Sequence, residues 1–230
     1  MSNNVCILVM DRDSWFARTD VIIICNPDKK LLYWLPRDLY CTRICNRLNT
    51  AYQKGQDTLV IECLNDVGIA IKHCICILPI LINENIMKIG EINIPIGQTR
   101  RYFYPLHRHK PIEEGKRLIT FTAPNEILTG DRIHEYIGAR YAADDHFKPS
   151  IKIPSHYPDF DRIRRQQNLL KHLLITKYVF HYADEKNIRG VNESVIQILK
   201  MLDDSWQIET ISETQYTLCV INKMSVLVKK

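Results

Sequence analysis

Residues 5–35 read VCILVMDRDSWFARTDVIIICNPDKKLLYWL, and this stretch decides the fold. Val5–Met10 and Val21–Cys25 are continuous apolar runs, the pattern of strands buried on both faces rather than of a sheet with one wet side. Asn26-Pro27-Asp28-Lys29-Lys30 is a cluster of turn formers, and Leu31–Leu35 beyond it supplies the hairpin partner. Pro36 ends that strand and leaves Arg37-Asp38 at its tip. Ligands in open α/β sheets bind at such tips.

Further along, the period changes. Asn46–Lys54 is a short amphipathic stretch closed by Gly55, and Gln56–Val67 repeats apolar residues near every 3.6 positions before Gly68. His73–Leu78 reads as a buried strand, Ile80–Ile89 as a helix closed by Gly90, and Glu91–Ile96 as another strand. Asp131–Tyr141 is helical in pattern, a long connection covers Ala142–Pro158, and the strongest helix runs over residues 160–175. A helix near Val191–Leu202 and a strand at Gln215–Ile221 finish the chain. Strands alternating with helices predict a layered α/β sandwich rather than a bundle. With 230 residues and no linker or repeat, one domain over 1–230 is expected.

Composition narrows the function. A net charge of +5 favours an anionic ligand but lacks the lopsided field of a dedicated DNA binder, so no nucleic-acid partner is expected. The longest apolar runs fall short of the about 20 residues a membrane helix needs. Met1-Ser2-Asn3-Asn4 has neither the basic region nor the cleavage site of a signal peptide, which predicts a cytoplasmic protein. Six of the eight cysteines lie in apolar runs and are expected as core thiols. Cys41 and Cys45 form a C-x₃-C pair, a weak zinc signal beside that bland alternative.

Three groups of residues carry candidate chemistry. Arg162 and Gln166, four apart, share one face of the helix opening at Asp159, whose N-terminal turn suits phosphate. The alternative is a solvated arginine face with Asp159 as a cap. Asp11 ends the first strand and Asp20 opens the second, which predicts two carboxylates at one sheet edge, a Mg²⁺-type environment. Here the alternative is loop carboxylates paired with Arg12 and Arg18. Gln98–Arg117 interleaves basic residues with Tyr102, Phe103 and Tyr104. It reads as a hairpin anchored by its aromatics, a lid over a phosphorylated ligand, or a single-strand nucleic-acid contact.

Five segments resemble the motifs of LytR–CpsA–Psr proteins, in the family's order and over about residues 5–175. Met10-Asp11-Arg12-Asp13 with Arg18-Thr19-Asp20-Val21-Ile22-Ile23 is similar to the opening motif. Leu35-Pro36-Arg37-Asp38-Leu39-Tyr40 resembles I-P-R-D-l-y, and Arg47-Leu48-Asn49-Thr50-Ala51-Tyr52 resembles K-I-N-x-A-Y. Leu128-Thr129-Gly130-Asp131 with Tyr136 and Arg140 resembles L-n-G-e-q-A-L-x-Y-v-R-x-R. Asp159-Phe160-Asp161-Arg162-Ile163-Arg164-Arg165-Gln166-Gln167 resembles D-f-g-R-i-x-R-Q-Q.

The resemblance implies a three-layer α-β-α sandwich around a mixed β-sheet, and the helix and strand read within residues 176–230 are expected to belong to the same domain. It implies Mg²⁺-dependent movement of a phosphoglycosyl group from a polyprenyl diphosphate to a hydroxyl, or hydrolysis by the same clamp. By position, Asp11 and Asp20 match the metal carboxylates, and Arg37, Arg140, Arg162 and Gln166 match the diphosphate clamp. Arg47 stands where the family has lysine. Asp159 matches the acidic residue beside the clamp, placed to orient an arginine or the incoming hydroxyl. Asp11, Asp20, Arg37, Asp159 and Arg162 are thus the expected catalytic set. Gly138 replaces the first arginine of R-x-R, for which Arg100, Arg101 or Arg108 are substitutes, and a non-catalytic diphosphate binder is the alternative function. Because no membrane anchor or amphipathic face stands out, the expected substrate is a soluble nucleoside- or sugar-diphosphate compound in place of the polyprenyl carrier. The alternative is an extracytoplasmic enzyme whose anchor has been removed.

Overall fold

The structure, a computed structural model, describes residues 3–107, 110–143, 158–175, 188–190, 192–209, 215–222 and 224–230. For residues 81, 83, 85, 86, 89, 158–160, 173–175 and 225 it describes the backbone alone. The chain divides into two compact units, one formed by Met1–Asn85 with Leu173–Lys230 and the other by Ile86–His172.

The first unit is built on the three strands expected from the opening stretch: β1 (Val5–Met10), β2 (Thr19–Asn26) and β3 (Leu31–Leu35). The short strands β4 (Tyr40–Cys41) and β5 (Asn46–Arg47) pair with each other, and a 3₁₀ turn at Leu48–Thr50 leads into helix α1 (Ala51–Asp66). After α1 come β6 (His73–Ile77) and α2 (Pro79–Ile89). Gly55 and Gln56 leave helical geometry inside α1, so the expected stop at Gly55 is a kink, and the helix resumes beyond it. Gly68 and Gly90 follow their helices at φ 79° and 77°, the left-handed conformation that closes a helix with least strain in glycine.

Strand β6 lies parallel to β1, while β1, β2 and β3 run antiparallel in sequence. Two later elements complete a mixed six-stranded sheet: β12 (Ile188–Arg189) antiparallel beside β6, and β13 (Gln207–Glu209) parallel beside β3. Both faces are dry. Cys6, Leu8, Met10, Ile22, Ile24, Leu35, Cys74 and Cys76 join Val60, Cys63 and Leu64 of α1 in one core cluster. On the opposite face Val5, Ile7, Ile23, Cys25, Leu32, Trp34 and Ile75 are also buried. Continuous apolar runs therefore mean here what they imply, strands covered on both sides.

The second unit holds the pair β7 (Ile92–Pro95) with β10 (Asn125–Leu128), and a three-stranded sheet. That sheet is β8 (Arg100–Pro105) between β9 (Lys116–Phe121) and β11 (Tyr141–Ala142). Helix α3 (Asp131–Gly138) ends three residues earlier than its pattern suggests, and α4 (Pro158–Ile175) is the expected strong helix. The basic-aromatic segment is thus a β-hairpin. Its aromatics carry the cations: Lys116 sits 4.6 Å from the Phe103 ring and Arg117 5.9 Å from that of Tyr104. Arg108, and residues 144–157 of the long connection, lie outside the described residues.

Helix α5 (Glu193–Lys200) is capped by Asn192, whose side-chain oxygen accepts the Val195 N–H at 3.0 Å. The terminal hairpin β14 (Tyr216–Ile221) with β15 (Met224–Lys229) extends the expected last strand by a second one. All eight cysteines are free thiols, as expected; six are buried and Cys45 is exposed, but Cys219, expected in the core, is only half-buried because β14 is mostly exposed. Among the described residues no helix is long and apolar enough to cross a membrane.

Candidate functional site

The residues of the first three motifs meet at the C-terminal tip of β3. Val9 pairs with Val21 and Met10 with Thr19, so Asp20 is the extra residue of a β-bulge. A bulge of this kind re-aims the side chain it carries. Arg37, just past β3, donates from Nη1 to Asp20 Oδ1 at 2.5 Å, and its Nε lies 3.9 Å from Asp38 Oδ2. Arg47 reaches Asp38 Oδ1 at 3.4 Å.

Backbone bonds fix this arrangement. The Arg37 carbonyl accepts the Asn49 N–H at 3.0 Å and the Leu39 carbonyl accepts that of Leu48 at 2.7 Å. Thr19 Oγ1 donates to the Asn49 carbonyl at 3.4 Å, and Leu227 of β15 donates its N–H to the Asp38 carbonyl at 2.9 Å. Segments 19–20, 37–39 and 47–49 are therefore tied into one cluster, braced by the terminal hairpin.

Asp38 is 5% exposed, and its carboxylate lies between two guanidinium groups. Asp38 lies inside the Leu35–Tyr40 motif, but nothing in the sequence beyond its position beside Arg37 singles it out as a site residue. Asn49 is a second such residue: it is 3% exposed, and its side-chain oxygen has no hydrogen-bond partner among the described residues.

Asp11 lies at the same hairpin end, donating its N–H to the Arg18 carbonyl at 2.8 Å. Its carboxylate pairs with Arg12 at 3.4 Å and Arg18 at 3.5 Å, the loop pairing held open as the alternative. It keeps 19% of its side-chain surface exposed, and Asp20 keeps 28%. Asp13 has a different task, accepting the Ile80 N–H at 2.6 Å at the start of α2. No group of three His, Cys, Asp or Glu among the described residues could hold a metal by itself. A cation here would need phosphate oxygens and water to complete its shell.

The last two motifs join in the second unit. Arg162 is 2% exposed and is the largest of the fully buried side chains. Gln166 donates from Nε2 to the Ile137 carbonyl at 3.3 Å, which closes the end of α3. Arg165 does the same work more fully. Its Nε donates to the Tyr136 carbonyl at 2.6 Å, its Nη2 to the Ala139 carbonyl, and its Nη1 to Asp161 and to the Tyr102 hydroxyl at 2.8 Å. These are carbonyls that a helix C-terminus leaves without partners, so Arg165 is a cap supplied by another helix.

Arg140 is half-buried just beyond α3. Gly138 closes that helix, and a Cβ placed there would meet Tyr104 Oη at 3.5 Å, an ordinary contact. Asp159 lies in the first turn of α4, and its side chain is outside the described residues. Of the expected site residues, the first unit thus gathers Asp20, Arg37 and Arg47 through Asp38, with Asp11 at the same hairpin end. The second carries Arg140, Arg162 and Gln166 on α4 and the end of α3.

No family model and no curated protein matches the chain. Solved structures do match. One, described as the LytR-CPS2A-psr family protein YwtF (TagT) with bound octaprenyl pyrophosphate lipid, has a TM-score of 0.62 at 12% identity. That alignment covers 100% of this chain and 84% of the other. TagV of Bacillus subtilis gives a TM-score of 0.60 at 17% identity, covering 100% and 92%. A transcriptional regulator from Enterococcus faecalis gives 0.59 at 17%, covering 99% and 82%. Sequence motifs and whole-chain superposition agree: this chain has the fold of the LytR–CpsA–Psr proteins.

Proposed function

We propose that the chain is a Mg²⁺-dependent phosphotransferase that moves a phosphoglycosyl group from a polyprenyl diphosphate to an acceptor hydroxyl. The observation that carries this reading is the Asp20–Arg37–Asp38–Arg47 cluster, assembled from three motifs at the strand tip of a fold whose solved examples include one with a bound prenyl pyrophosphate. In the reaction the acceptor oxygen attacks the glycosyl-bearing phosphorus. The bond from that phosphorus to the bridging oxygen breaks, and prenyl monophosphate leaves. Such a transfer asks for positioning and charge stabilisation more than for covalent work by the protein.

The residues suit that task. Arg37 is a planar donor held from two sides, oriented before any phosphate arrives. Asp38 acts through Arg37 and Arg47 and is a positioning residue. Asp11 and Asp20, partly exposed at one hairpin end, are the carboxylates we assign to Mg²⁺, with phosphate and water as its other ligands. When bound, that ion supplies Lewis-acid charge at the phosphate oxygens. By motif position, Arg140, Arg162 and Gln166 are assigned to diphosphate binding, with Asp159 as the orienting acid.

Incubation of the protein and Mg²⁺ with prenyl diphosphates and with nucleoside diphosphate compounds tests the substrate. Turnover of the prenyl compounds, lost in Asp20→Asn and Asp11→Asn variants that melt as the parent does, is the expected result. Turnover of the nucleoside compounds alone would restore the soluble substrate expected from the sequence. Binding without turnover in every case would leave a diphosphate-binding protein.

A further inference from the structure

Helix α4 presents two polar faces, and the proposed reaction uses one of them. Arg162 and Gln166 belong to that face. Asp161, Arg164, Arg165 and Asn168 stand at i, i+3, i+4 and i+7 on the neighbouring stripe. They line a cavity of about 250 Å³ in the second unit. The segment Ile96-Gly97-Gln98, Arg100 and the buried Tyr102 also contribute to its lining.

The lining has a definite chemistry. Among the described residues the lining holds three arginines and the carboxylate of Asp161, and Arg165 is bonded to Asp161 and to the end of α3. Arg100 and Arg164, both exposed, bring two further guanidinium groups to the lining. Beside them stand two acceptors. Asp161 uses Oδ2 for Tyr102 and Arg165, and its side chain keeps 47% of its surface exposed. Asn168 spends its amide N–H groups on the Pro95 carbonyl and the Tyr136 hydroxyl, both at 3.1 Å, which leaves its oxygen as an acceptor. Cationic donors next to acceptors match a molecule with one anionic group and several hydroxyls.

We propose that this cavity binds a phosphorylated sugar, its phosphate on Arg100 and Arg164 and its hydroxyls on Asp161 and Asn168. The site stands on its own lining residues and holds whether or not the clamp face transfers a phosphoglycosyl group.

Calorimetric titration of the full chain with glucose 6-phosphate, glucose and inorganic phosphate tests it. The sugar phosphate is expected to bind at least about tenfold more tightly than either fragment. Arg164→Ala and Arg100→Ala, both on exposed positions, should each weaken it about tenfold while melting as the parent does. Binding of a prenyl diphosphate should stay unchanged in Arg164→Ala, which separates this site from the clamp. Three outcomes overturn the proposal: no binding of the sugar phosphate up to about 10 mM, equal affinity for inorganic phosphate, or affinity indifferent to both arginines.

Discussion

Replacing Arg165 by methionine should destabilise this protein far more than the loss of an exposed ion pair would. Methionine keeps the apolar stem and removes the guanidinium, whose side chain is 8% exposed. Two carbonyls at the end of α3, those of Tyr136 and Ala139, then lose their donor inside the protein. A buried polar group left without a partner costs about 1–3 kcal/mol. The guanidinium also lies 4.4 Å from the centre of the Tyr102 ring, a contact worth about 1 kcal/mol. The total is about 4 kcal/mol. At about 2–4 °C per kcal/mol for a chain of this length, Tm should fall by about 10 °C. Asp161→Asn is the control, because its carboxylate is half exposed and rehydrates, so its loss should cost under about 1 kcal/mol. Urea melts of both variants measure the difference. If Arg165→Met and Asp161→Asn destabilise alike, by less than about 1 kcal/mol, Arg165 is an ordinary surface ion pair and the capping account is wrong.

Other expectations test the rest of the molecule. Gly138→Arg restores the guanidinium of the family pattern at a position where a Cβ meets only ordinary contacts. Diphosphate affinity should rise about tenfold, and unchanged affinity in a folded variant would show that this position does not face the ligand. Asp38→Asn leaves Arg37 and Arg47 without the carboxylate between them; it should destabilise by about 3 kcal/mol and lower turnover, and a neutral result on both counts would remove Asp38 from the site. Burial pushes the Cys25 and Cys76 thiols up to about 12 from an ordinary 9.0. Unfolded thiols therefore lose their protons first, and stability should decline between about pH 9 and 12, by about 1.4 kcal/mol per pH unit for each thiol. A flat urea midpoint across that window would contradict the buried placement. In native protein at pH 8, Cys45 should be alkylated well before the six buried thiols, and uniform labelling would contradict their burial.

Legibility followed how local each signal was. β1, β2, β3, α2 and α4 were readable because long apolar runs or a sustained 3.6 period leave little choice of element. β12 and β13, two and three residues long, carry no period at all and exist because β6 and β3 offer them an edge. The second strand of the terminal hairpin was missed for a related reason. β14 is mostly exposed, so its hydrophobicity says little about pairing, and the bridge from Leu227 to Leu39 that anchors the hairpin spans most of the chain.

The site shows the same division, with a sharper consequence for the arginines of α4. Sequence placed Arg162, Arg164 and Arg165 within one turn and read them together as a phosphate-friendly group. Helical geometry alone separates them into stripes, but it does not say which stripe meets a ligand. That is decided by the end of α3, some 26 to 29 residues earlier, whose last carbonyls require donors. Once Arg165 meets that need, Arg164 is left exposed in the lining of a cavity and Arg162 is fully buried. One basic cluster thus divides into a structural cap, a cavity wall and a buried cation. The family pattern R-i-x-R-Q-Q then reads physically: its second arginine and the glutamine after it both close α3. Restoring the arginine missing at Gly138 therefore asks whether the end of α3 also faces the substrate.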